Sequence, residues 1–164
     1  MGYIYNILFS IAVGLQFQVP INDIITAIEE YKTIGQRCEF IELEDNILLI
    51  DDSYNSSFES LESGLRMINF FEQEKIVILG DILELGAFSK KIHKKIKKII
   101  ENYETTILVG EEMKNACRNN FIWCKNVDDA MNYLDTLDLK NKLIYVKGSH
   151  ATQLERLTAK IKKV

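Results

Sequence analysis

From Ile47 onward the chain alternates short apolar runs with amphipathic stretches, and that alternation constrains its fold more than any other feature. The runs Ile47–Ile50, Ile76–Leu79, Thr106–Val109, Phe121–Cys124 and Leu143–Val146 read as strands. Between them Leu61–Phe71, Lys91–Ile100, Glu112–Arg118 and Ala130–Leu137 carry helical spacing, with a last helix from about Ala151 to Ile161. Cys38–Leu43 adds a further strand, joined to Ile47–Ile50 by a turn at Glu44-Asp45-Asn46. Strands alternating with helices predict βαβ units, hence a Rossmann-like α/β fold with a mostly parallel sheet and helices on both faces. Right-handed crossovers bring the carboxyl ends of the parallel strands to one edge, where ligands of such sheets bind.

The first third reads differently. Ile4, Ile7, Leu8, Ile11, Ala12 and Leu15 follow helical spacing, Val19-Pro20 breaks the chain, and Asn22 or Asp23 is placed to cap a second helix through Ile28. Two helices cannot build a core of their own, so residues 1–33 are expected to be the helical tail of a domain whose body lies upstream. Residues 34–164 are expected to form the α/β domain, with a linker near Thr33–Gly35. A total of 164 residues suits one domain plus a fragment. The apolar stretch Ile4–Phe17 is interrupted by Asn6, Ser10 and Gln16, and it is shorter than the roughly 20 residues of a bilayer span. No Lys or Arg precedes it, as a signal peptide requires, and Asn6 stands where myristoylation needs Ser or Thr.

A net charge of −4 argues against a general nucleic-acid binder. The lysines at 90, 91, 94, 95, 97 and 98 interleave with Ile92, Ile96, Ile99 and Ile100, the pattern of a solvated helix face rather than of a nucleic-acid patch. Cys38, Cys117 and Cys124 contain no CxxC pair, and His93 and His150 show no ligand spacing. Neither a disulfide framework nor a metal site is expected, and a reducing cytoplasm is the expected location.

The strand ends carry the polar chemistry. Ile47–Ile50 runs into Asp51-Asp52-Ser53-Tyr54-Asn55-Ser56-Ser57, Ile76–Leu79 into Gly80-Asp81, and Leu143–Val146 into Lys147-Gly148-Ser149-His150. Taken singly, Asp51 and Asp52 are ordinary turn residues and Ser57 an ordinary helix cap. Acidic, hydroxyl, amide and lysine groups converging on one edge instead predict a binding rim, with Gly80, Gly86, Gly110 and Gly148 allowing close backbone approach.

Several of these runs resemble the C-terminal domain of the Mur ligases. The matching segments are Gly35-Gln36-Arg37-Cys38-Glu39, Asp51 to Asn55 with Ser60, Leu79-Gly80-Asp81-Ile82-Leu83-Glu84-Leu85-Gly86 with Ser89 and His93, and Lys147-Gly148-Ser149. The resemblance spans Gly35 to Ile161 and is greatest to the branch that joins D-alanyl-D-alanine to UDP-N-acetylmuramoyl-tripeptide; Tyr5-Asn6 resembles the last helical region of that family's central ATPase domain. The chain departs from the family at Ser56-Ser57-Phe58, where Ala-Asn-Pro is usual, and at His150, where Arg is usual.

The resemblance implies ATP-dependent amide-bond formation, in which phosphorylation makes a carboxylate electrophilic and the protein mainly positions and neutralises charge. It implies that Arg37 reaches the nucleotide phosphates, that Asp52 accepts the ribose hydroxyls, and that Tyr54 and Asn55 line the base. Lys147, Ser149 and the start of the helix that follows would hold the dipeptide carboxylate, while Asp81 takes its ammonium or orients a neighbour. No G-x-x-x-x-G-K-[ST] loop occurs in the sequence. The family carries that loop, and Mg²⁺ ligands, in its central domain, so the missing N-terminal and central domains are the expected partners and the isolated chain is expected to be inactive. Two other readings compete. A signalling receiver also uses an acidic pair, an aspartate and a lysine at strand ends, but its aspartate follows the third strand, whereas Asp81 follows the second core strand. A free-standing module that binds nucleotide or dipeptide without chemistry is the other.

Overall fold

A computed structural model describes residues 2–31, 35–118 and 120–163. The chain divides into two compact units, residues 1–33 and 34–164. Residues 33 and 34 of the expected linker lie outside the described residues.

In the first unit α1 (Gly2–Gln16) and α2 (Ile21–Glu29) form a helical hairpin. The end of α1 is closed by Val19 N–H donating to the Gly14 carbonyl at 2.9 Å, with Gln18 at φ 59°, a left-handed helix stop. The cap expected at Asn22 or Asp23 is not used. Pro20 is the N-cap of α2, and its carbonyl accepts from Asp23 and Ile24. Proline fixes its own φ and keeps Val19 out of the helical region, so the chain turns there and the helix begins at once. Asp23 remains in the first turn, where its charge suits the helix dipole.

The second unit is a six-stranded sheet in the order β1-β2-β6-β3-β4-β5. Its strands are β1 (Glu39–Leu43), β2 (Ile47–Asp52), β3 (Glu74–Gly80), β4 (Thr105–Val109), β5 (Ile122–Cys124) and β6 (Lys142–Lys147). Only β1 runs antiparallel, paired with β2 through a tight turn in which Asp45 and Asn46 take left-handed φ values of 54° and 57°, a conformation Asp and Asn tolerate. Helices cover both faces. α3 (Phe58–Ile68) and α4 (Ser89–Ile99) bury Leu61, Leu65 and Ile96 against Leu48, Ile50, Val77 and Leu79. α5 (Val127–Leu134) and α6 (Leu154–Ile161) bury Ala130, Leu154 and Leu157 against Leu49, Ile78, Ile144 and Val146. Alternate residues of β2, β3, β4 and β6 thus serve opposite layers, which is why these central strands carry continuous apolar runs, whereas the edge strand β1 alternates.

Two helices fall short of expectation. Glu112–Arg118 yields only a 3₁₀ turn at Met113–Ala116, and the last helix is preceded by a separate 3₁₀ turn at His150–Thr152. In the first case the Met113 N–H is taken at 2.7 Å by the Asp81 carboxylate, a tertiary bond that sequence periodicity does not register.

Candidate functional site at the carboxyl edge of the sheet

Strand β6 lies between β2 and β3, with Lys147 in register with both Asp52 and Leu79. The polar strand ends are therefore neighbours, and two clusters form around them.

The first cluster centres on Asp52. Its Oδ1 accepts the Cys38 N–H at 3.1 Å, and its Oδ2 accepts the Lys147 ammonium at 2.7 Å and the Tyr145 hydroxyl at 3.2 Å. Lys147 also donates to the Asn55 carbonyl at 2.9 Å. Next to it, Tyr54 N–H donates to the Gln36 carbonyl at 3.0 Å, and the Arg37 guanidinium lies over the Tyr54 ring, 4.1 Å from its centre. The His150 ring is 6.1 Å from the same ring. Gln36 and Cys38, on either side of Arg37, have φ of 66° and 53°. Two such residues around one side chain are strained backbone, of the kind that persists where neighbours over-determine it. Here the neighbours are Tyr54 and Asp52. Cys38, expected to open the first strand, is thus a bend before it, and its thiol pKa is pushed up to about 11 by burial and by the Asp52 charge.

The second cluster surrounds Asp81. Its Oδ1 accepts Met113 N–H, and its carbonyl accepts Ser149 N–H at 3.0 Å. Burial raises its pKa, against the lowering effect of the Met113 and Glu112 backbone N–H groups. Ser149 Oγ accepts Leu83 N–H at 3.0 Å, and His93 Nε2 accepts Ile82 N–H at 3.2 Å. An accepting Nε2 makes Nδ1 the protonated nitrogen, and Nδ1 lies 2.9 Å from the Ser89 carbonyl it donates to. The Gly-Asp-Ile-Leu-Glu-Leu-Gly run is therefore a loop tied by Ser149 and His93. Gly110, at φ 112°, is required beneath it, because a Cβ there would stand 2.3 Å from the Asp81 carboxylate. Gly80 and Gly148 give way to the protein's own Thr152 rather than opening the backbone to a ligand.

All seven residues predicted from the sequence lie at this edge. Arg37, Asp52, Tyr54, Asn55 and Lys147 share the first cluster, and Asp81 and Ser149 the second. Lys147 was expected beside Ser149, and its ammonium lies on Asp52. Sequence reasoning missed Tyr145, a hydroxyl-bearing residue inside an apolar strand, although a buried tyrosine oxygen needs a partner. Ser57, expected as a cap, closes the α3 amino end in a reciprocal capping box with Ser60. A surface hollow of about 590 Å³ lies elsewhere, lined by Lys97, Cys117, Arg118 and Asn120. Its lining gathers no matched acid and base.

The fold and this rim define an α/β domain whose polar groups gather at the carboxyl ends of its parallel strands, the edge at which sheets of this class bind ligands. More narrowly, the chain belongs to the Mur ligase family: the family model described as "Mur ligase, glutamate ligase domain" matches residues 36–150. Among curated relatives, the UDP-N-acetylmuramoyl-tripeptide–D-alanyl-D-alanine ligase of Buchnera aphidicola (subsp. Acyrthosiphon pisum) is 30% identical over 96% of the chain and 36% of its own length. That of Bacillus subtilis is 29% identical over 94% and 36%. The chain thus spans about a third of the length of these relatives. Crystal structures of MurF share the fold: the Thermotoga maritima enzyme in complex with ADP has a TM-score of 0.79 at 22% identity, covering 93% of this chain and 36% of that one. An Acinetobacter baumannii MurF has a TM-score of 0.82 at 23% identity, covering 92% and 35%. The family match removes the receiver reading. The Asp81 carboxylate, turned onto the Met113 N–H, also lacks the exposure a phosphoacceptor needs.

Proposed function

We propose that this chain is the C-terminal domain of an ATP-dependent ligase that joins D-alanyl-D-alanine to UDP-N-acetylmuramoyl-tripeptide in peptidoglycan synthesis. The names of the relatives above support the reaction. The observation that carries the assignment is the pinned Gln36–Cys38 bend, which brings Arg37, Tyr54 and Asp52 to one corner of the rim. ATP, when bound, supplies the phosphoryl group that turns the tripeptide carboxylate into an electrophile.

The residues at that corner fit a nucleotide. Tyr54 offers a ring face and Asn55 an amide for the base side, and Arg37 a permanent planar cation for phosphate. Asp52 is an acceptor-only group with capacity for a ribose hydroxyl. The Ser149 hydroxyl accepts from Leu83 and has its own proton to give to a dipeptide carboxylate. Asp81, held on Met113 and Ser149 backbone groups, orients this side of the rim. Lys147 stands between the halves, its backbone in the strand that leads to Ser149 and its ammonium on Asp52.

Residues 1–33 are the tail of the central ATPase domain in this reading, and the exposed Ile4, Tyr5, Leu8 and Phe9 of α1 support it. The N-terminal and central domains bring the phosphate loop and the Mg²⁺ ligands. Among the described residues no group of three or more His, Cys, Asp or Glu side chains is arranged to hold a metal, and no helix is long and apolar enough to cross a membrane. The reaction places the protein in the cytoplasm, where ATP is available and the thiols of Cys38, Cys117 and Cys124 stay free. No nucleic-acid partner is proposed.

Calorimetric titration of the chain with ADP and with D-alanyl-D-alanine tests the assignment. Arg37→Ala is expected to weaken ADP at least about tenfold, as loss of a charged contact does, and to leave the dipeptide unaffected. Ser149→Ala is expected to do the reverse. ADP affinity unchanged in Arg37→Ala and in Asp52→Ala contradicts the proposed nucleotide site.

A further inference from the structure

Asp52 and Lys147 have different access to solvent: the Asp52 side chain is 18% exposed and that of Lys147 3%. The carboxylate therefore forms the outer face of the pair, and the ammonium lies beneath it with one proton on Asp52 and another on the Asn55 carbonyl. Below both, Tyr145 has no exposure at all, yet its hydroxyl reaches Asp52 at 3.2 Å. It does so through a gap left in α3 by Gly64, where a Cβ would stand 1.9 Å from the tyrosine oxygen. Burial and the nearby Asp52 charge raise the Tyr145 pKa well above its ordinary value, which keeps it a donor. A carboxylate offers about four lone-pair positions. Cys38, Tyr145 and Lys147 occupy three from the protein side.

We infer that Tyr145 and Lys147 are positioning residues of the nucleotide half of the rim. From below, they aim the remaining acceptor capacity of Asp52 outward. Through the Cys38 N–H and the Asn55 carbonyl, the same knot holds the Arg37 bend and the Tyr54–Asn55 loop in one arrangement. Lys147 is then not the partner of the dipeptide carboxylate. To reach that ligand its ammonium has to leave Asp52, and a half-buried carboxylate stripped of its cation is costly. The inference rests on the nucleotide reading of Arg37 and Asp52 given above.

The test uses the whole chain, with Tyr145→Phe and Lys147→Met titrated against ADP and against D-alanyl-D-alanine. Loss of the long Tyr145 hydroxyl bond to the Asp52 carboxylate predicts ADP binding weaker by about fivefold in Tyr145→Phe, and loss of the Lys147 ion pair with its second bond to Asn55 predicts roughly thirtyfold in Lys147→Met. Dipeptide affinity is expected to stay within about twofold of wild type in both, a split that general loosening of the fold does not produce. Amide exchange at Cys38 N–H is expected to accelerate in both variants while that at Ser149 N–H does not. Tyr145→Phe removes a single oxygen and carries the test if Lys147→Met fails to fold. Unchanged ADP affinity and Cys38 protection, with dipeptide binding lost in Lys147→Met, overturns the inference and returns Lys147 to the dipeptide. A wild-type chain that binds no ADP overturns the nucleotide reading itself, and is recognised before any variant is made.

Discussion

A tyrosine hydroxyl in the middle of Leu-Ile-Tyr-Val has to find an acceptor or pay for its burial, and Tyr145 finds Asp52 because Gly64 leaves the way open. Gly64→Ala puts a methyl group where the oxygen is. It is expected to destabilise the domain by about 1–3 kcal/mol, the usual range for overpacking, in a denaturation experiment. Tyr145→Phe in the same background is expected to recover part of that loss, since the two changes meet at one atom. Cys38 shows the same knot in its reactivity. With a thiol pKa pushed up to about 11, alkylation at pH 8 is expected to be roughly 100-fold slower than at an ordinary thiol, because only the thiolate reacts. Mass mapping after a timed pulse of iodoacetamide checks this, and Cys38 labelling at the rate of an unfolded control contradicts it. Asp81 makes a pH-dependent contribution. Its folded pKa is raised by burial, so the folded state holds the proton more tightly than the unfolded chain, and stability falls as pH rises from the unfolded value of 3.8 through the folded one. Asp81→Asn keeps an acceptor for Met113 and is expected to gain in melting temperature over wild type at pH 7, with the gain vanishing near pH 3. A gain that is larger at pH 3 contradicts this sign.

Among the elements, α3 begins where the polar run after β2 ends, and Ser57 with Ser60 decides that point. Ser57→Ala is expected to cost about 1 kcal/mol, the usual value of such a cap, read as a shift in the denaturation midpoint. This cap was legible in the sequence, as were the central strands, because burial on both faces leaves short continuous apolar runs between amphipathic stretches. The turn at Glu44-Asp45-Asn46 was legible too, since Asp45 and Asn46 are residue types that accept a left-handed backbone. The Met113–Ala116 segment was not. Its spacing is helical, but Asp81, thirty-two positions earlier in the chain, takes its N–H and leaves a single 3₁₀ turn. The start of α2 was missed for a local reason, the precedence of Pro20 over the capping side chains that follow it.

At the scale of the molecule, strand order turns separate motifs into one rim. The sequence predicts that polar strand ends share an edge. It does not reveal that β6 is inserted between β2 and β3, and it is this order that sets Lys147 against Asp52 and Ser149 against Asp81. Hence the residues of the rim were legible, while their partners and the part played by Tyr145 were not. The central claim is that the corner formed by Arg37, Asp52 and Tyr54 holds a nucleotide. It is tested most directly by recording amide chemical shifts of the ¹⁵N-labelled chain during titration with ADP. The largest changes are predicted at Arg37, Cys38 and Asp52 to Asn55, with the amides of α4 and α5 unmoved. Shifts concentrated instead around Lys97, Cys117 and Arg118, or at the amino ends of the strands, contradict the account.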